Sequence, residues 1–207
     1  MGPQPSRRSA VRSPAITRAR FLRGALFTGG VVLIGGVPLL SRAPKIVHAR
    51  RGQSDDEILN FALLIEYLEE GFYLDALSKN ALSGELLLFA QEVSAHEAAH
   101  VQLLREALGN KARPPPTFGF GDDTNDTQRF ASAAVLLEET GSGAYIGQGA
   151  NLSRSVAVIA ARIASVEARH SAWIRDIVGR HPAPHAADPA MTEEEVSAAI
   201  RETGYLS

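Results

Sequence analysis

Residues 96–100 read His-Glu-Ala-Ala-His, and the partners these side chains find decide the fold. On a helix His96 and His100 lie one turn apart, a spacing that can offer two ring nitrogens to a zinc ion with Glu97 as general base. Glu97 and His100, at i and i+3, also share a face by themselves and can present an oxygen and a nitrogen to one point. The second reading gains weight because the pattern recurs: Glu167-Ala-Arg-His170 is a second Glu-x-x-His, at an offset of 70. Fifteen Glu and six His in this chain give about 0.4 such pairs by chance, so a single occurrence is weak evidence. Two at a repeat offset are not.

The apolar residues around both patterns keep the helical period. Ala90, Val93, Glu97, His100, Leu104 and Leu108 fall on one face of a second helix, which Gly109-Asn110 should stop. A first helix follows the cap-like Ser54-Asp55-Asp56-Glu57, carries Leu59, Leu63, Glu66 and Tyr73 on one stripe, and ends before Ser83-Gly84. A third starts near Gln128 and carries Ala131, Val135, Glu138 and Tyr145. A fourth, over about 153–178, carries Ile163, Glu167, His170 and Ile174. Glu66 with Tyr73 thus maps onto Glu138 with Tyr145 at an offset of 72, close to the offset of the Glu-x-x-His pair. Residues 109–127, rich in Pro, Gly and Asp, read as a loop crossing between the second and third helices. No alternating run is long enough for a sheet. Gly141, Gly143, Gly147 and Gly149 are costly in a helix interior. They point to close packing, to a path towards the core, or to a frayed third helix. The tail carries Pro182, Pro184 and Pro189 ahead of a short helix over about 192–204.

Four glutamates and two histidines therefore sit on inward-facing stripes. A carboxylate on such a stripe is expensive to bury unless it is paired or binds metal. Four carboxylates are neutralised by two divalent cations, and donors of nitrogen and oxygen without sulfur suit iron or manganese. The candidate ligands are Glu66, Glu97, His100, Glu138, Glu167 and His170. The stripe and the matched tyrosines favour Glu66 over Glu69 and Glu70, and Glu138 over Glu139, so Glu69→Ala and Glu139→Ala are expected to spare the site. Tyr73 and Tyr145 read as hydrogen-bonded core tyrosines next to the ligands. His96, one position off the stripe, reads as a surface residue or an outer contact of the site.

At these residues the chain resembles the ferritin-like superfamily of di-iron or di-manganese carboxylate proteins, in which two helices each supply a Glu and two others each supply Glu-x-x-His. The resemblance covers residues 55–180. "LNFALLIEYLEEGFY" and "EETGSGAY" are similar to exported ferritin-like proteins that include desiccation-related members. It implies an all-α, ferritin-like four-helix bundle with a long crossover between helices two and three. It also implies two iron or two manganese ions, with O₂ or peroxide as partners, in ferroxidase or peroxide-detoxifying chemistry. The alternatives are a stress-associated or membrane-tethered structural protein without turnover, and a zinc peptidase built on HEAAH. The extended peptidase motif wants Gly and His three and six residues after His100, where this chain has Leu103 and Glu106.

Charge divides the chain. Residues 1–49 hold eight Lys/Arg and no Asp/Glu, whereas residues 50–207 hold thirteen Lys/Arg against twenty-three Asp/Glu. An acidic body argues against nucleic acid, whose phosphates need clustered Lys/Arg. The basic arm precedes an apolar run over 24–40 and a loose small-x-small site at Val47-His48-Ala49. "TRARFLRGAL" resembles a twin-arginine export signal through Arg18, Phe21 and Leu22, with Ala19 in place of the second arginine. The expected organisation is 1–49 as export signal, 50–180 as bundle and 181–207 as tail. The alternative is a membrane anchor retained through 24–40. Lack of cysteine excludes disulfides and thiolate ligands. No residues mark an assembly interface, and a homo-oligomer stays open.

Overall fold

A computed structural model describes residues 53–206. Both readings of the N-terminal arm, export signal or anchor, lie outside the described residues. Four long helices carry the chain: α1 (Asp55–Lys79), α2 (Gly84–Leu108), α3 (Thr127–Gln148) and α4 (Arg154–Ile177), followed by a short α5 (Glu193–Thr203). The described residues form no β-strand, only an isolated bridge between Phe118 and Leu206. No helix among them is long and apolar enough to cross a membrane.

The helix ends are set locally. Ser54 and Glu57 close a reciprocal capping box at the start of α1, and Asn80 ends the helix in the left-handed region. Asp126 caps α3 by accepting from the backbone N–H groups of Gln128 and Arg129. Short connections pair α1 with α2 and α3 with α4, and the two hairpins meet along α1/α3 and α2/α4.

The crossover is a strap along the whole of α1. At one end Asn60 Nδ2 donates to the Lys111 carbonyl, and the Arg113 N–H donates to Asn60 Oδ1. Midway, Phe120 packs edge-on against Phe72, ring centroids 5.6 Å apart. At the other end Thr124 bonds Asp75 and Lys79. The strap thereby returns the chain to the C-terminal end of α1, so α3 runs antiparallel to α1. The C-terminus holds the strap down. Gly119 donates its N–H to the Tyr205 carbonyl (2.8 Å), and the Tyr205 hydroxyl donates to Asp123 (2.7 Å).

The glycines of α3 are explained by what lies on them. The helix continues through Gly141, Gly143 and Gly147 to Gln148, with Gly149 as its C-cap, so it does not fray there. The tail before α5 crosses this face, where the Met191 N–H donates to the Gly143 carbonyl (2.9 Å). A Cβ at Gly147 would come within 2.7 Å of the Met191 carbonyl carbon and closer still to its oxygen. Backbone cannot yield as a side-chain tip does. Gly147→Ala is therefore expected to detach the tail, although the same change on a bare helix stabilises by about 1 kcal/mol. Hydrogen exchange of the Met191 amide reads this directly, and wild-type protection in the variant would contradict the packing.

Candidate metal centre

Each helix of the bundle aims one or more polar side chains at the same central point. Glu66, Glu97, Glu138 and Glu167 are all completely buried, His100 is 7% exposed and His170 3%. Two groups of ligand atoms form, each with all atoms within 4.8 Å of one another: Glu66, Glu97, His100 and Glu167, and Glu97, Glu138, Glu167 and His170. All six sequence candidates are present. Glu97 and Glu167 belong to both groups, whereas Glu66 with His100 serves one and Glu138 with His170 the other.

The contacts show a cluster built round shared centres rather than a set of ion pairs. His100 Nδ1 lies 3.2 Å from Glu66, 3.0 Å from Glu97 and 3.1 Å from Glu167. One ring nitrogen carries at most one proton and cannot donate to three carboxylates. His170 Nδ1 lies 3.1 Å from Glu97 Oε1 and 3.3 Å from Glu138 Oε2, yet these three atoms and both oxygens of Glu167 make no properly aligned hydrogen bond. Atoms that approach without aligning as donor and acceptor are disposed like ligands of a common cation. These buried, orphaned donors fit a pair of nitrogen- and oxygen-ligated ions.

The tyrosines complete the repeat by crossing between its halves. Tyr73 on α1 donates its hydroxyl to Glu138 on α3, and Tyr145 on α3 donates to Glu66 on α1. Each holds the carboxylate of the opposite half in place. His96 is exposed on the helix surface but reaches the centre indirectly: its Nδ1 lies 2.8 Å from His170 Nε2, and the two rings stack 5.1 Å apart. It enters neither ligand group, so the imidazoles of HEAAH do not converge as a zinc peptidase requires.

Of the neighbouring carboxylates on α1, Glu66 enters a ligand group and Glu69 enters neither, yet the helix buries both completely. Positions i and i+3 share a helix face, so the stripe that admits Glu66 admits Glu69 as well. Glu139, by contrast, lies on the surface and pairs with Arg175.

Electrostatics follow from burial. Burial lifts the Glu66 carboxyl to about 8 despite the imidazole beside it. Burial, then the neighbouring carboxylates, push Glu69 and Glu167 well above the usual carboxylate range. Glu97 moves the other way, to about 2: burial would raise it, but the imidazoles of His100 and His170 beside it outweigh that effect. Burial opposes the charge on His100, but the Glu167, Glu66 and Glu97 carboxylates around its ring raise it to about 12. In the same way Glu138 and Glu97 overcome burial and raise His170 to about 10. Without a cation the cluster approaches neutrality by holding protons.

His100 brings the centre close to solvent. A surface hollow of about 500 Å³ between α2 and α4 reaches the His100 ring and is lined also by Leu103, Arg162, Ile163 and Val166.

Compared with known families, residues 54–180 match the ferritin-like domain. The chain has no match among curated proteins. The matched span holds all four long helices and every carboxylate and imidazole of the centre, and the chain belongs to the ferritin-like domain family.

Proposed function

We propose that the bundle binds two iron or two manganese ions and uses them for redox chemistry with O₂ or peroxide, as a ferroxidase or a peroxide-detoxifying protein. The observation that carries this reading is the sharing of Glu97 and Glu167 between two buried ligand groups, each completed by one further Glu and one His. Bound there, a pair of such ions would supply the electrons that reduce the oxidant. The chain's own residues hold and protect the site. Glu66 and His100 would hold one ion, Glu138 and His170 the other, with Glu97 and Glu167 between them. Tyr145 and Tyr73 fix the outer carboxylates by hydrogen bonds, and His96 fixes the His170 ring through its far nitrogen. The hollow beside His100 would be the way in for an ion or a diatomic molecule, whereas the burial of the carboxylates excludes bulk water.

Metal analysis of the purified protein, then consumption of Fe²⁺ with O₂ or of peroxide by the Mn²⁺ form, tests the reading. Protein that binds two ions but turns over neither substrate would replace redox chemistry by a structural role. Protein that binds none would end the two-ion assignment.

The protons held by the metal-free cluster make a further prediction. A carboxyl raised in the folded state stabilises it fully below the unfolded value of 4.5, and that stability is lost as pH rises through the folded value, about 8 for Glu66. The raised imidazoles have the same sign: their contribution is full below 6.5 and is lost through about 10 for His170 and about 12 for His100. The contribution of Glu97 is opposite and is lost only as pH falls from 4.5 towards about 2. Metal-free protein should therefore melt at progressively lower temperature between about pH 5 and 8, while the rise in melting temperature on adding Mn²⁺ should grow, since ions replace protons. Calorimetry with and without Mn²⁺ across that range checks both trends, and a pH-independent increment would oppose them.

A further inference from the structure

Glu69 has no role in the reading above, and its surroundings ask for one. It lies on α1 one turn beyond Glu66, outside both ligand groups, but unlike His96 it is 0% exposed and neither of its oxygens has a hydrogen-bond donor. Glu66 and Glu138 each take a tyrosine hydroxyl, and Glu97 has the His100 ring. An ionised carboxylate left unpartnered in a core is among the costliest arrangements a fold can keep.

Its position is defined by a glycine. A Cβ at Gly141 would lie 2.8 Å from Glu69 Oε1, 3.3 Å from Glu69 Oε2 and 3.1 Å from Glu167 Oε2. The Glu69 and Glu167 carboxylates thus both lean on the bare backbone of α3 at one residue. Gly141 is also the repeat partner of Glu69: the offset of 72 that carries Glu66 to Glu138 and Tyr73 to Tyr145 carries Glu69 to Gly141. One half of the bundle adds a carboxylate where the other half gives up its side chain, so the approximate twofold symmetry is broken at this point. Glu167 Oε1 faces His100 at 3.1 Å. Its Oε2 lies beside Gly141 and Glu69, and Glu167 belongs also to the group of Glu138 and His170.

We propose that Glu69 is a further metal ligand, a fifth carboxylate that joins Glu167 on the Glu138 and His170 side, with Gly141 supplying the space it occupies. The proposal rests on the two-ion reading and adds to it an inequality: the His170-side ion has one carboxylate more than the His100-side ion. The donor is a hard anionic oxygen, which favours a manganese or iron ion in a higher coordination number at that position.

The test uses purified full chain titrated with Mn²⁺, and anaerobically with Fe²⁺, by calorimetry, with melting temperatures of metal-free and loaded protein. Wild type should bind two ions. Glu69→Gln keeps the shape and removes the charge. It should retain one ion at wild-type affinity and bind the other weaker by about tenfold or more. Its metal-free form should melt no lower than wild type, because no buried acid needs neutralising, and its gain on loading should shrink. Gly141→Ala leaves Glu69 present but displaces its carboxylate, and should weaken the same ion. That variant carries the test if Glu69→Gln does not fold. Two ions at wild-type affinity in Glu69→Gln, or in Gly141→Ala should that be the variant that folds, overturn the role of Glu69 and leave the two-ion reading standing. A wild type that binds no ion overturns both.

Discussion

Glu97→Ala is expected to remove both ions from the core in one step. Glu97 Oε2 lies 3.0 Å from His100 Nδ1 and Glu97 Oε1 lies 3.1 Å from His170 Nδ1, so one carboxylate faces both ligand groups. Its loss removes an anionic donor from each ion and leaves two imidazoles without the carboxylate that orients them. Glu167→Ala should act alike, because Glu167 also belongs to both groups. Glu66→Ala and Glu138→Ala should each cost chiefly one ion, since each belongs to a single group. Glu139→Ala is the control: this carboxylate pairs with Arg175 at the surface, and both ions should stay. Metal content per chain after gel filtration distinguishes these outcomes. Two ions retained by Glu97→Ala would show that the shared carboxylate does not bridge the site.

The largest effect on stability should come from Phe72→Ala, with a loss of about 3–5 kcal/mol. Phe72 is completely buried and stacks on Phe130 of α3, with ring centroids 5.3 Å apart and planes 4° from parallel. It also meets Phe120 of the strap edge-on at 5.6 Å and Tyr205 of the C-terminus at 6.2 Å. Truncation opens a cavity where helix, strap and tail converge, and none of these backbones can close it without breaking the bonds around Gly119 and Tyr205. Urea unfolding measures the loss, and faster exchange of the Gly119 amide, which donates to Tyr205, locates it. A cost below about 1.5 kcal/mol would mean that the aromatic cluster repacks and does not lock the strap.

Much of this was legible in the chain because helical faces are a local property. The period of 3.6 residues places Glu66, Glu97, His100, Glu138, Glu167 and His170 on apolar stripes whatever the helices pack against, and the offsets of 70 and 72 announce that two halves repeat. Four carboxylates on inner faces then need protons, partners or a cation to offset their desolvation. Cap residues mark the helix starts equally well, as at Ser54 and Asp126.

What lies between helices was not legible there. The sequence shows that Tyr73 and Tyr145 repeat, but only the packing shows that each bonds the carboxylate of the other half. Face periodicity could not separate Glu66 from Glu69, because both point inward; the distance from Glu69 to Gly141, 72 residues away, separates their surroundings. His96 lies off the stripe on its own helix and still reaches His170, because the neighbouring helix comes to it. The sequence leaves open whether the glycines of α3 serve close packing, a path to the core or fraying; in the structure the tail and Glu69 occupy the space they leave. The chain by itself determined which residues face inward, since a face follows from rotation about one helix axis. Which of them meet was decided by the tertiary structure, since that depends on the separation and register of helices that only close packing sets.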